Sequence, residues 1–197
     1  MEAEAFTVAI LAGGAATRLG GCDKGLVLLD GRALVDHVLA AARAMSAPPP
    51  AILVIANRNL DDYAQRARAL PDALPGRRGP LAGIATALAA CTTPWLLSLP
   101  VDGPDPPRDL AARLLRVAQS DAACAFVAHD GERRQPLFAL YRRELAASAA
   151  IAAAGGQGAA RWQDRIGVRE VDFRDRRRQF VNLNTPEDVA AHACADR

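Results

Sequence analysis

Two rhythms of apolar residues alternate along this chain. Short continuous apolar runs stand at 7–11, 51–56, 95–99 and 122–128, while between them apolar residues recur every three or four positions, as at Leu34, Val35, Val38, Leu39 and Ala42. Continuous runs of that length suit strands covered on both faces, and the longer period suits helices lying against them. The alternation predicts an α/β layered fold. Helices are expected over 34–45, 60–70, 81–90, 110–118 and 144–154, the last an Ala-rich stretch broken by Gly155-Gly156.

Turn chemistry punctuates the pattern. The apolar run 26–29 closes on Asp30-Gly31, and the segment 71–80 holds three prolines, two glycines and two arginines and reads as a loop. Pro100 is expected to stop the strand 95–99. Asp130-Gly131 turns the chain toward an apolar partner at 137–141, an antiparallel hairpin added to an otherwise parallel sheet. A late strand is expected at 168–173. Thr185-Pro186-Glu187-Asp188 reads as a helix start, with Thr as cap and Pro at the first position. The run Arg174-Asp175-Arg176-Arg177-Arg178 is read as a solvated turn, with a face for a polyanionic substrate as the alternative.

Composition narrows the function classes. The 197 residues fit one domain, 1–197, and the 51% hydrophobic and 23% charged content is that of a soluble globular protein. A net charge of +2 is too small for a nucleic-acid surface, so no nucleic-acid partner is expected. No apolar stretch reaches the roughly 18 residues that would span a bilayer, and the acidic start Met1-Glu2-Ala3-Glu4 is unlike a signal peptide. The expected location is the cytoplasm, with no membrane partner. The cysteines, Cys22, Cys91, Cys124 and Cys194, form no C-x-x-C pair and no zinc pattern.

Chemistry concentrates in four places. The first follows the N-terminal strand: Leu11-Ala12-Gly13-Gly14, then Arg18, Gly20 and Lys24. Glycines let backbone N–H groups approach a phosphate closely, and the two cations add charge-assisted hydrogen bonds. The spacing is neither that of a Walker loop nor of a dinucleotide fingerprint. The second is Leu99-Pro100-Val101-Asp102, which puts a carboxylate past the end of a buried strand, where open parallel sheets bind ligands. Asp102 suits Mg²⁺; the bland alternative is a helix cap, a role that Asp105 fills better for a helix starting near Pro107.

The third place is Gly79-Pro80-Leu81-Ala82-Gly83, preceded by Asp72. A glycine in a helical pattern costs about 1 kcal/mol relative to Ala, which points to something lying close against the backbone at Gly83. Asp72 can accept from the N1–H and exocyclic amine of guanine, or it is an exposed loop carboxylate. The fourth is Asn182-Leu183-Asn184-Thr185-Pro186: extended backbone puts both amides on one face. Asn184 or Thr185 can serve as a helix cap, which leaves Asn182 as the clearer substrate contact.

In this order the four pieces resemble the molybdenum cofactor guanylyltransferase family. The family's L-A-G-G-x-x-x-R-M-G-G-x-D-K loop is matched from Leu11 through Arg18 to Asp23-Lys24, with Leu19 in place of Met. Its G-P-L-A-G element stands at Gly79-Pro80-Leu81-Ala82-Gly83, its P-x-D at Pro100 and Asp102, and its V-N-x-N-T-P-E at Val181 through Glu187. Asp130-Gly131, with Pro136 following, is similar to a further family piece. Ile55 stands where some relatives carry an Asn that touches the nucleotide.

The resemblance implies a three-layer nucleotide-binding fold of nucleotidyltransferase type, with GTP as donor, Mg²⁺, and molybdopterin or molybdenum cofactor as acceptor. Nucleotide contacts are implied at Leu11, Ala12, Gly13, Lys24 and Asp72, joined by Gly14 and Gly79, with the metal on Asp102. Arg18, Lys24 and Asp102 are the expected catalytic groups, and Asn182 and Asn184 the acceptor contacts. Recipients of the product would be molybdoenzymes or their chaperones. A cytidylyltransferase for the same pterin and a non-catalytic nucleotide-binding adaptor are the competing readings.

Overall fold

The computed structural model describes residues 5–13, 23–74, 79–185 and 188. The expectations for Gly14, Arg18, Leu19, Gly20 and Cys22, and for the final helix with His192 and Cys194, lie outside these residues.

Strand β1 (Phe6–Leu11) runs through the middle of a seven-stranded sheet. Successive side chains of a strand point to opposite faces. Val8 and Ile10 of β1 enter one core and Ala9 the other, all fully buried. Parallel neighbours flank β1: β4 (Ala51–Ile55) on one side and β6 (Trp95–Pro100) on the other. Helices α1 (Leu34–Arg43) and α4 (Leu110–Ala118) cover the face of Val8 and Ile10 with Val35, Val38, Leu110 and Leu114. Helices α3 (Pro80–Ala90), α5 (Ala146–Ala154) and α6 (Ala159–Ile166) cover the opposite face. The result is the layered, mostly parallel α/β fold that the alternating rhythms predict.

The hairpin is present and larger than expected. β7 (Ala125–His129) and β8 (Arg134–Arg142) pair antiparallel, and β8 inserts antiparallel beside β6. The Asp30-Gly31 turn also forms, joining β2 (Leu28–Leu29) to β3 (Arg32–Ala33), with φ of 50° and 75° at its two residues. β9 (Arg169–Asp172) closes the far edge, parallel to β7.

Several boundaries differ from expectation. The predicted helix 60–70 is a short helix α2 (Leu60–Ala64) followed by strand β5 (Arg68–Leu70), which pairs parallel with Leu53, Val54 and Ile55 of β4. Alanine-rich sequence favours helix there, but a strand satisfies the edge of β4, whose peptide groups would otherwise lack partners. β6 ends at Pro100 as expected, with the proline as its last residue, level with Leu11. A proline fits at a strand end, where its missing N–H breaks no ladder bond. The segment 144–145 belongs to a 3₁₀ turn, Arg143–Leu145, ahead of α5. The helix after Asp102 begins at Leu110, so Asp109 and not Asp105 precedes it, and Asp109 spends its carboxylate on Arg113 at 2.6 Å.

Helix α6 was not anticipated. Its buried face includes Trp162 and also the polar Gln163, which breaks the apolar stripe that would mark a helix in sequence. Gln163 Nε2 donates to the Pro136 carbonyl at 2.8 Å and to the Tyr141 hydroxyl at 2.6 Å. The arginine run forms a 3₁₀ helix, Arg174–Gln179, in which Arg174 pairs with Asp172, Arg176 with Asp109 and Asp175, and Arg177 with Glu132.

Candidate active site

Register places the site. Leu11 lies level with Ile55 on one side and Pro100 on the other, so three strands end at one height. Just beyond, Ala12 N–H still donates to the Ile55 carbonyl at 2.8 Å, and Val101 N–H donates to the Leu11 carbonyl at 3.2 Å. Ala12 and Gly13 are thereby held at the carboxyl ends of β4 and β6, the crevice where doubly wound sheets take ligands.

One half of this crevice is built around Asp72. Ile55 of β4 and Leu70 of β5 are register partners, and Asn57 and Asp72 each stand two residues past them. The two side chains therefore meet: Asn57 Nδ2 donates to Asp72 Oδ2 at 2.7 Å, and Asn57 Oδ1 accepts from the Asp72 backbone N–H at 2.9 Å. Asp72 Oδ1 is buried and has no partner among the described residues. The next residue, Ala73, is tied to α3, its N–H donating at 2.9 Å to Thr86 Oγ1, which itself donates to the Ala82 carbonyl. Burial pushes the Asp72 carboxyl above the usual carboxylate range, and the Asn57 hydrogen bond opposes that shift.

Two glycines border that carboxylate and form a narrow, glycine-lined slot against it. A Cβ at Gly83 would stand 3.5 Å from Asp72 Oδ1 and 3.1 Å from Leu11 Cδ2; one at Gly13 would stand 3.1 Å from Asn57 Nδ2. The sequence signal at Gly83 thus has a structural counterpart, since its backbone faces Leu11, Ile55 and Asp72. Gly79 is the N-cap of α3 at φ 75°, followed by Pro80 at the first helical position. That φ favours glycine independently of any ligand.

The other half is built around Lys24. Its backbone is anchored by Asp23, whose Oδ1 accepts from Gly25 N–H at 3.2 Å and from the Tyr63 hydroxyl at 2.5 Å, while Oδ2 accepts from Asn59 Nδ2 at 3.1 Å. A Cβ on Gly25 would collide with the Tyr63 hydroxyl. From this anchor the Lys24 ammonium reaches Asp102 Oδ2 at 2.6 Å and Asn184 Oδ1 at 2.8 Å. Asp102 in turn holds the C-terminal segment through its carbonyl, which accepts from Leu183 N–H at 2.8 Å. Asp188 Oδ2 accepts from the N–H groups of Asn184 and Thr185, which hold its carboxyl below the usual range, and Thr185 Oγ1 accepts from Asp188 N–H at 3.1 Å. This is the reciprocal cap expected at Thr185. Asn182 Oδ1 is buried without a partner among the described residues.

Leu11, Gly13, Asp72 and Gly83 therefore come together, as do Lys24, Asp102 and Asn184. Asn57 and Tyr63 are not singled out by the sequence, and Asp23 enters there only as part of the matched loop. Asn57 carries no local signal, because its partner is fifteen residues away across a strand pair.

Comparison with known proteins fits this arrangement. The MobA-like NTP transferase domain model matches residues 8–171. The molybdenum cofactor guanylyltransferase of Vibrio cholerae is 40% identical over 182 residues, covering 92% of this chain and 88% of that one. The enzyme of the same name from Shewanella frigidimarina is 42% identical over 180 residues, 90% of each chain.

The chain belongs to the MobA-like NTP transferase family.

The family fold extends to solved structures. The molybdopterin-guanine dinucleotide biosynthesis protein A of Archaeoglobus fulgidus superposes with a TM-score of 0.79 at 22% identity, over 97% of this chain and all of that one. The 2-C-methyl-D-erythritol 4-phosphate cytidylyltransferase of Thermus thermophilus gives 0.69 at 21% identity, over 96% of this chain and 98% of that one. Both likenesses concern the fold. Membership makes the chain a nucleotidyltransferase.

Proposed function

We propose that the protein transfers GMP from GTP to the terminal phosphate of molybdopterin or molybdenum cofactor, releasing pyrophosphate. One observation carries the reading: strand register gathers an unpartnered carboxylate oxygen in a glycine-lined slot and a Lys–Asp–Asn cluster into the same crevice. The slot supplies an acceptor for the N1–H and 2-amino group of guanine. The cluster supplies charge for phosphates. The relatives named above support guanine over cytosine as the donor base.

In the reaction an oxygen of the acceptor's terminal phosphate forms a bond to the α-phosphorus of GTP. The bond from that phosphorus to the bridging β-phosphate oxygen breaks, and pyrophosphate leaves with the electron pair. The nucleophile is already anionic, so no strong general base is needed, and positioning with charge neutralisation carries the rate. Of the described histidines, His37 bonds to the Leu29 carbonyl and His129 accepts from Gly131 N–H, both away from the crevice residues. Lys24, with Arg18, would neutralise the departing pyrophosphate, while Asn182 and Asn184 orient the acceptor phosphate.

A divalent cation fits the donor set. Asp102 and Asn184 present hard oxygen donors that already converge on one cation, the Lys24 ammonium, at 2.6 and 2.8 Å. Among the described residues no three His, Cys, Asp or Glu gather into a metal cage, so Mg²⁺ held by Asp102 and completed by water and phosphate oxygens is the matching choice. When bound it supplies charge neutralisation at the triphosphate. We place the reaction in the cytoplasm, with molybdoenzymes or their chaperones receiving the product. Among the described residues no helix is long and apolar enough to cross a membrane.

The test is pyrophosphate release from Mg-GTP with and without molybdopterin, repeated with CTP. Release that needs both Mg-GTP and the pterin, and that CTP supports poorly, is the expected result. Preferential use of CTP, or GTP binding without any release in the presence of pterin, overturns it.

A further inference from the structure

We infer that Asn57 is a positioning residue that sets the base specificity of this site, by fixing the Asp72 carboxylate with its unpaired oxygen toward the slot between Gly13 and Gly83. The inference rests on reading the crevice as a guanine nucleotide site.

The geometry is a two-point clamp. Asn57 Oδ1 takes the Asp72 backbone N–H at 2.9 Å and Asn57 Nδ2 gives a hydrogen bond to Asp72 Oδ2 at 2.7 Å. The backbone bond fixes the Asn57 amide relative to Asp72, and the bond to Oδ2 then orients the carboxylate. Asp72 Oδ1 is consequently held in place, buried and without a partner among the described residues. A buried acceptor left unpaired costs roughly the desolvation of that group, and a ligand donor recovers it. The clamp also selects which donors are accepted. The amide NH₂ of Asn57 occupies one acceptor position on Oδ2, which leaves acceptor positions only, on Oδ1 and on the rest of Oδ2. By donating to the carboxylate, Asn57 favours its ionised form against the burial that disfavours it. A purine edge offering two adjacent donors matches this face; one offering a donor beside a C–H leaves part of it unpaired.

The slot walls restrict the approach. Leu11 and Ile55 side chains stand beside Gly83, within 3.1 and 3.5 Å of where its Cβ would be. Asn57 itself is solvent-exposed, so replacing it removes the clamp without opening the core.

Inosine triphosphate differs from GTP only by lacking the 2-amino group, and it is the probe. kcat and KM for GTP, inosine triphosphate and CTP are measured for the wild-type protein, Asp72→Asn, Asn57→Ala and the isosteric Asn57→Asp, whose side chain cannot donate. Thermal melts verify folding. The wild type is expected to prefer GTP over inosine triphosphate by roughly 10- to 100-fold in kcat/KM. Asn57→Ala and Asn57→Asp are expected to bring that ratio close to one by raising KM for GTP about tenfold or more, with kcat and the constants for inosine triphosphate little changed. A wild type that prefers CTP, or an Asp72→Asn variant with unaltered preference, removes the guanine reading and this inference with it. A wild type that prefers GTP through Asp72, together with both folded Asn57 variants keeping the full ratio, overturns the role of Asn57 alone.

Discussion

Lys24 is held by two oxygens, Asp102 Oδ2 at 2.6 Å and Asn184 Oδ1 at 2.8 Å, with side-chain exposures of only 16% for the lysine and 20% for the aspartate. A cation preorganised at a place where charge accumulates costs little to reorganise during the reaction, and losing such a group typically lowers the rate by about 10² to 10³. Lys24→Ala is therefore expected to lose that much in kcat for pyrophosphate release while retaining a wild-type melting curve. Asp72 makes a second prediction through its proton. Its carboxyl lies above the usual range because it is buried. As pH falls through that raised value the carboxylate becomes a hydroxyl donor and its match to guanine is lost, so KM for GTP rises on the acid side. The sign for stability is the reverse: a raised carboxyl favours the folded state at low pH, and that contribution is lost as pH rises through the shifted value. KM for GTP followed between neutrality and mild acidity should climb for the wild type and stay flat for Asp72→Asn.

At the scale of elements, the turn that presents Lys24 depends on α2. Tyr63, fully buried, donates its hydroxyl to Asp23 at 2.5 Å, and burial with that bond to Asp23 pushes its own ionisation far above the ordinary tyrosine range. Removing the hydroxyl leaves the Asp23 carboxylate short of one donor, at a cost of about 1–3 kcal/mol. Tyr63→Phe is expected to lower stability by that amount in urea titrations and to reduce kcat, since among the described residues the Asp23 carboxylate beside Lys24 then keeps Gly25 N–H and Asn59 Nδ2 as its donors. The same element shows where sequence reading fell short. Residues 60–70 carry a helical composition, and a helix throughout would have left no β5. Because 68–70 instead pairs with β4, the chain leaves the sheet beside Asn57, which is what brings Asp72 to the slot.

Across the whole molecule, the sheet separates two cores, and the crevice draws on both. Trp162 of α6 packs against Tyr141 with ring centroids 5.3 Å apart, in the core opposite to Tyr63 and the helices α1 and α4. Deleting a fully buried Trp typically costs about 3–5 kcal/mol. Trp162→Ala should lower the denaturation midpoint accordingly, while the folded fraction keeps wild-type KM for GTP, because α6 contributes no residue to the slot or to the Lys24 cluster. A raised KM in the folded variant would show that α6 shapes the site after all.

The amino-acid sequence by itself determined the layering of the fold, the hairpin at Asp130-Gly131 and the position of Lys24, Asp72 and Asp102 at the ends of predicted strands or in the loops after them. Those features follow from local rules: the period of apolar residues, the chemistry of turns, and what a glycine or a carboxylate does next to a strand end. Only the tertiary structure decided that Asn57 clamps Asp72, that Tyr63 anchors Asp23, and that Asn184 shares the ammonium of Lys24 with Asp102. Those partners lie 15, 40 and 160 residues apart along the chain. Pairing at such distances is set by strand register and by the packing of helices against the sheet, and neither leaves a mark in the residues that flank each partner.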